Sequence, residues 1–131
     1  MQKCVGYFQL RNQMSKRKKF ELLATCFDSK GRVICSRPNS YLKSHPEQKR
    51  FSIMAGMSDQ RCVLHAETAA LLASRNSKGV SKVHSVLVQR FDSRGNPALA
   101  KPCLSCMLAL KMFNVRVLRY TTYTGINEEI L

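Results

Sequence analysis

Two short stretches of this chain carry residue types that can hold a metal and move a proton. His65-Ala66-Glu67 supplies an imidazole and, two positions on, a carboxylate; Pro102-Cys103-Leu104-Ser105-Cys106 supplies two thiols three residues apart. One imidazole and two thiolates are donors that suit zinc, and zinc held by three protein ligands keeps a fourth position open for water. His65, Cys103 and Cys106 are therefore the expected zinc ligands. Glu67 cannot share the direction of His65 on an ideal helix, but it can reach a water in the open position. Zinc lowers the pKa of such a water and makes hydroxide available near neutral pH. Glu67 would take up the released proton and deliver it again as a general acid.

Each stretch by itself has a plainer reading. A histidine opening an Ala/Leu-rich helix is usually structural, and an isolated Cys-x-x-Cys serves as a redox pair or as half of a structural zinc site. A structural zinc wants a fourth Cys or His. His45, His84 and Cys62 are present for that purpose, without matching spacing. The joint occurrence of both stretches, at two helix starts and with strands in the right order, favours a catalytic site with three ligands and an open position.

The elements that must bring these residues together are visible as patterns. Residues 5–15 read as a first helix, with Val5, Phe8 and Met14 on one face. Phe20 to Phe27 is apolar and strand-like, Asp28-Ser29-Lys30-Gly31 is a turn, and Arg32 to Ser36 returns as a second strand. Residues 37–61 are polar and basic, with a capping box at Ser44-His45-Pro46-Glu47 that starts a short helix ending near Gly56. This segment is expected to form a wall or lid of the site. A helix follows from His65 to about Arg75, then a strand from Val83 to Phe91 and a turn at Asp92-Ser93-Arg94-Gly95. A helix from Cys103 to about Phe113, with Asn114 as its C-terminal cap, leads to a last strand from Val115 to Thr122. Strand, helix, strand over residues 83–122 is a βαβ unit, so those two strands should run parallel. Each helix N-terminus offers unpaired N–H groups and positive potential, which favours the thiolate forms of Cys103 and Cys106.

The chain has 131 residues, 44% of them hydrophobic, which fits a single domain over residues 1–131 with a real core. No apolar run approaches the roughly 20 residues needed to span a bilayer, and the N-terminal stretch is a poor signal peptide. A cytoplasmic protein without a membrane partner is expected. In a reducing compartment the six cysteines need not be disulfides. Cys4, Cys26, Cys35 and Cys62 lack a partner at metal spacing; Cys26 and Cys35, in strand-like runs, read as small core residues. The formal charge of +14, from 22 basic and 8 acidic residues, favours polyanions or phosphorylated small molecules as partners. The strongest basic run is Lys16-Arg17-Lys18-Lys19; aromatics do not interleave with the charges as they would on a single-strand stacking platform.

At His-Ala-Glu and Pro-Cys-x-x-Cys the chain resembles the cytidine and deoxycytidylate deaminase superfamily, which also contains tRNA adenosine deaminases. The resemblance spans roughly residues 5–122 in element order and is sharpest at 64–72 and 101–108. It implies a three-layer α/β/α sandwich around a mixed sheet of four to five strands, the first two antiparallel. It implies Zn2+ held by His65, Cys103 and Cys106, with Glu67 as proton shuttle. It also implies base contacts from the backbone at Ala66 and Pro102 and a sugar contact from Asn39, whose plain reading is a turn asparagine. Residues 37–64 offer only His45 and Cys62 as further ligands, so the second metal of some deoxycytidylate deaminases is not expected. Tetrameric cytidine deaminases usually carry Cys in place of His65, which argues against a free nucleoside as substrate. The segment Asn39-Ser40-Tyr41-Leu42-Lys43-Ser44-His45-Pro46 is similar to that of small phage-type deoxycytidylate deaminase-like proteins. The tRNA enzymes normally continue into a fifth strand and a helix, whereas only Tyr123 to Leu131 follow here. A missing fifth strand would leave the fourth nearer an edge, and exposed edges invite pairing; a homo-oligomer is therefore predicted.

Three functions compete at this point. The first is a deaminase of cytosine in a nucleotide of the (deoxy)cytidylate type, with Lys43 or Arg50 meeting the phosphate. The second is a polynucleotide deaminase acting on cytosine or adenine in single-stranded DNA, RNA or tRNA, motivated by the +14 charge. The third is a non-catalytic basic module that binds nucleic acid and keeps zinc for stability.

Overall fold

The computed structural model describes residues 21–39, 46–56, 65–76 and 80–131. The helix expected over residues 5–15, the basic run at 16–19, and Cys4, Lys43, Ser44, His45 and Cys62 lie outside the described residues. In chain order the elements are β1 (Glu21–Phe27), β2 (Val33–Pro38), α1 (Pro46–Met54), α2 (Ala66–Ala73), β3 (Ser85–Phe91), α3 (Leu104–Met112), β4 (Val117–Thr121) and β5 (Ile126–Ile130). Among the described residues they form a mixed five-stranded sheet of order β2-β1-β3-β4-β5 flanked by three helices, the α/β/α sandwich expected from the sequence.

The hairpin forms where the turn chemistry places it. Asp28 Oδ1 accepts the N–H groups of Lys30 and Arg32, and Gly31 takes the left-handed backbone (φ 78°) that closes the turn. The Asp-Ser-x-Gly pattern recurs at 92–95 with the same solution. There Asp92 Oδ1 accepts from Arg94 and Asn96, and Gly95 has φ 82°. β1 pairs antiparallel with both β2 and β3, and β3 pairs parallel with β4, as a βαβ unit requires. Alternate residues of the central strands point to opposite faces, and both faces of β1 and β3 are buried. Ala24, Cys26, Val86, Val88, Leu118 and Tyr120 join the main core with Ala70 and Leu71 of α2 and Ala109 and Leu110 of α3. Leu23, Phe27 and Phe91 are buried on the other face. The Val86-Leu87-Val88 run in β3, which breaks any polar–apolar alternation, fits burial on both faces.

Asn114 ends α3 with φ 59°. Its N–H donates to the carbonyl of Lys111 at 3.1 Å and that of Val115 donates to Leu110 at 3.0 Å, the paired bonds of a Schellman ending.

One expectation is overturned. Residues 126–130 form a fifth strand, antiparallel to β4 from Val117↔Ile130 to Thr121↔Ile126. β4 is thus an interior strand, and the exposed edge on that side belongs to β5. The strand was hidden because its sequence, Ile-Asn-Glu-Glu-Ile, is mostly exposed and polar, so no half-buried alternation betrays it. It forms because β4 offers a row of backbone partners.

Candidate metal centre

Both halves of the site sit at a helix N-terminus. His65 is the N-cap of α2 with extended backbone (φ −77°, ψ 153°), and Cys103 is the N-cap of α3 in a similar conformation (φ −71°, ψ 174°). The helices therefore start one residue later than the sequence pattern suggests. Neither side chain caps its own helix, so imidazole and thiol are both available to a ligand.

Cys103 is delivered by a clamp on the ends of β3 and β4. Ala98 N–H donates to the Arg90 carbonyl and Ala100 N–H to that of Thr121. The buried Thr121 hydroxyl donates to the Ala98 carbonyl at 2.8 Å and accepts from Arg90 N–H at 3.0 Å. The chain then has two residues to run before it reaches Cys103. α2 packs across β1 and β2 and against α3, and the thiol of Cys35 on β2 donates to the Ala70 carbonyl at 3.1 Å.

This brings His65 Nδ1 to 3.2 Å from Cys106 Sγ and 3.5 Å from Cys103 Sγ. Among the described residues these three form the one cluster of metal-ligand type, all ligand atoms lying within 4.8 Å of one another. The spacing fits zinc. A tetrahedral ion with Zn–S of about 2.3 Å and Zn–N of about 2.0 Å has N···S edges of about 3.5 Å. The histidine atom facing the thiols is Nδ1. His84, a candidate fourth ligand, sits just before β3, its N–H bonded to the Phe27 carbonyl. That is the opposite end of the strand from Cys103, so His84 cannot complete a structural site.

The protons of the cluster are shared unequally. Hydrogen bonds from Cys106, His65 and Ser105 outweigh burial and hold the Cys103 thiol down to about 3. Cys106 is pushed well above the ordinary thiol value, first by its bond to Cys103 and then by burial. The bond to Cys103 likewise raises His65. One thiolate is ready for a cation, while the other two donors must give up protons to it.

Glu67, in the first turn of α2, is only 3% exposed. Burial pushes its carboxyl up, opposed by the charge of His65 and by a hydrogen bond with Cys106. Its Oε1 has no hydrogen-bond partner. A carboxylate with an uncommitted oxygen thus adjoins the three ligands. Ala66 and Pro102, beside the ligands in sequence, are both buried. Asn39 follows β2, its N–H bonded to the Leu22 carbonyl and its Oδ1 accepting Leu22 N–H at 3.2 Å. Since Leu22 pairs with Arg90 near the end of β3, Asn39 lies at the same end of the sheet as the Ala98–Ala100 clamp. Arg50 pairs with Glu47 at 2.8 Å, and its guanidinium stacks 4.8 Å from the Phe51 ring centre.

Three residues around the ligands escaped sequence reasoning. The Thr68 hydroxyl lies 3.9 Å from Cys106 Sγ, and that of Ser105 lies 3.1 Å from Cys103 Sγ. Both are close enough in sequence to a ligand to have been suspected. Gln48 was not legible; it bonds to Ser105 and to the backbone of His65 from α1.

No protein-family model matches the chain, and comparison with curated proteins and with solved structures finds no match. The functional reading therefore rests on the site. Its cluster of one histidine and two cysteines is consistent with a zinc-binding, deaminase-like centre and supports a metal-dependent catalytic function. No helix among the described residues is long and apolar enough to cross a membrane.

Proposed function

We propose that this protein is a zinc-dependent hydrolytic deaminase that converts cytosine to uracil in a nucleotide of the (deoxy)cytidylate type. The observation that carries the reading is the buried Glu67 with an unpartnered Oε1 beside the His65–Cys103–Cys106 cluster. A structural zinc has no use for such a carboxylate, whereas hydrolysis of an exocyclic amine needs a group that moves protons. Zinc, when bound by those three residues, supplies an acidified water in its open position.

In this mechanism the water oxygen adds to the ring carbon that bears the amine. Glu67 Oε1 takes the water proton and passes it to the neighbouring ring nitrogen. Glu67 would then take the second proton from the oxygen now bonded to that carbon and deliver it to the amine; the carbon–nitrogen bond breaks, ammonia leaves and the carbon keeps the oxygen as a carbonyl. Burial suits Glu67 to this work, because raising its carboxyl makes it a stronger acceptor for the water proton. The backbone at Ala66 and Pro102 holds the base. Asn39 addresses the sugar through its side-chain nitrogen, its oxygen being engaged by Leu22. Lys43 or Arg50 is the proposed phosphate contact.

The test is a deamination panel read by mass spectrometry on zinc-loaded protein, with Glu67→Ala as control. It holds cytidine, CMP, deoxycytidine, dCMP, single-stranded DNA, RNA and tRNA. Glu67-dependent conversion of dCMP or CMP supports the reading; inactivity on both removes it. The net charge of +14 favours a second reading, in which the base is deaminated within a polynucleotide. Conversion confined to polymers would select it.

A further inference from the structure

We infer that Gln48 is a positioning residue of the metal centre, setting the spacing of His65 and Cys103 and orienting a hydrogen bond onto the Cys103 sulfur through Ser105. The inference rests on the metal-binding part of the proposed function and not on the deamination. Gln48 is fully buried, at 0% exposure, in a helix otherwise rich in charged and polar residues. Its Oε1 accepts the His65 N–H at 3.2 Å and its Nε2 donates to Ser105 Oγ at 3.2 Å.

The chemistry of the partners fixes the direction of both amide bonds. A backbone N–H can only donate, so the amide oxygen must face His65 and the NH2 group must face Ser105. The Ser105 hydroxyl, with its oxygen accepting from Gln48, keeps its own proton to offer a Cys103 thiolate, whose Sγ is 3.1 Å away. A thiolate is stabilised by such a donor. At His65 the amide takes the place of the third-position Glu or Gln of a capping box, which normally accepts the N–H of the cap. Here that position of α2 is Thr68, whose hydroxyl lies toward Cys106 instead. One side chain thus reaches the first residue of α2 and the first turn of α3 together. Loss of either bond would leave a buried polar group unpaired and free one ligand to shift. Partners of this kind typically change metal affinity about 10- to 100-fold when removed.

The experiment measures zinc affinity by chelator competition, and the thiolate-to-metal bands of the cobalt-substituted protein, for the full chain and its variants. Gln48→Met keeps the side-chain length and removes both bonds; Ser105→Ala removes the relay to sulfur and the bond from Gln48 Nε2, and keeps the bond from His65 N–H to Gln48 Oε1. Phe51→Leu perturbs the packing of α1 without touching the network and serves as control. We expect Gln48→Met to weaken zinc binding about 10- to 100-fold and to shift the cobalt bands. We expect Ser105→Ala to do so by less and Phe51→Leu to lower only the melting temperature. Should Gln48→Met fail to fold, Ser105→Ala decides by itself. Variants that bind zinc as tightly as the wild type with unchanged cobalt spectra overturn the inference, even if they melt earlier. A wild-type chain that takes up neither zinc nor cobalt removes the metal centre itself, a failure separable from that of Gln48.

Discussion

Replacing Glu67 by Gln should make the metal-free protein more stable while destroying its activity. The carboxyl is 3% exposed, and its Oε1 lacks a partner. An unsatisfied buried polar group costs about 1–3 kcal/mol, more if charged. Glutamine keeps the shape and removes the charge, though its NH2 still needs company. A net gain of about 1–2 kcal/mol at pH 7.5 is therefore expected. At about 4 °C per kcal/mol for a chain of this size, that is a rise of about 4–8 °C in Tm. The pH dependence has a definite sign. In the unfolded chain the carboxyl titrates at its ordinary value of 4.5, and burial raises it in the fold. At this site the folded state then binds more protons than the unfolded one between those two values, so the contribution of Glu67 to wild-type stability falls as pH rises through that window. The advantage of Glu67→Gln should be near zero at or below pH 4.5 and full once pH exceeds the raised value. Thermal melts of both proteins by circular dichroism, with chelator and reductant present, would measure this. Zinc loading should shrink the difference, because a nearby cation favours the charged carboxylate. A variant no more stable than wild type at pH 7.5, or equally advantaged at both pH values, would refute the reasoning.

Zinc affinity should rise between pH 6 and 8, since Cys106 and His65, both raised by their bonds to Cys103, must lose protons to bind. Calorimetry in buffers of different ionisation enthalpy would register the released protons; a pH-independent affinity would contradict the shared-proton cluster. Thr121→Val should cost about 1–3 kcal/mol, because Arg90 N–H and the Ala98 carbonyl both lose a buried partner. Denaturant melts would reveal it, and a loss below a few tenths of a kcal/mol would mean that the clamp before Cys103 does not depend on this hydroxyl. Cys35, lowered to about 7 chiefly by its hydrogen bond with Cys26, should alkylate with a midpoint near that pH, whereas the fully buried Cys26 should stay unlabelled until the protein unfolds. Peptide mapping by mass spectrometry separates the two, and equal labelling of both in the folded state would be the contrary result.

Most of what is encoded within one turn of a helix or one strand was legible in the chain before folding was considered, the hydroxyls of Thr68 and Ser105 excepted. The Cys103–Cys106 spacing, the Glu67 two residues beyond His65, the Asp-Ser-x-Gly turns and the apolar run of β3 are local signals, set by helical and extended geometry whatever surrounds them. The order of those elements was enough for the parallel pairing of β3 with β4, and the resemblance carried by the two motifs implied the sandwich. The remaining features belong to pairs of distant segments and arise only when the chain packs. His65 and Cys103, the caps of two helices far apart in sequence, come within 3.5 Å of one another only where α2 and α3 meet over the sheet. β5 formed despite a polar, exposed sequence because the edge of β4 supplied its partners. Gln48 lies 17 residues from His65 and 57 from Ser105, so no spacing rule could join it to either. A buried amide satisfies its hydrogen bonds with whatever the fold brings to it, and only the packing of α1 against α3 put those two residues within its reach.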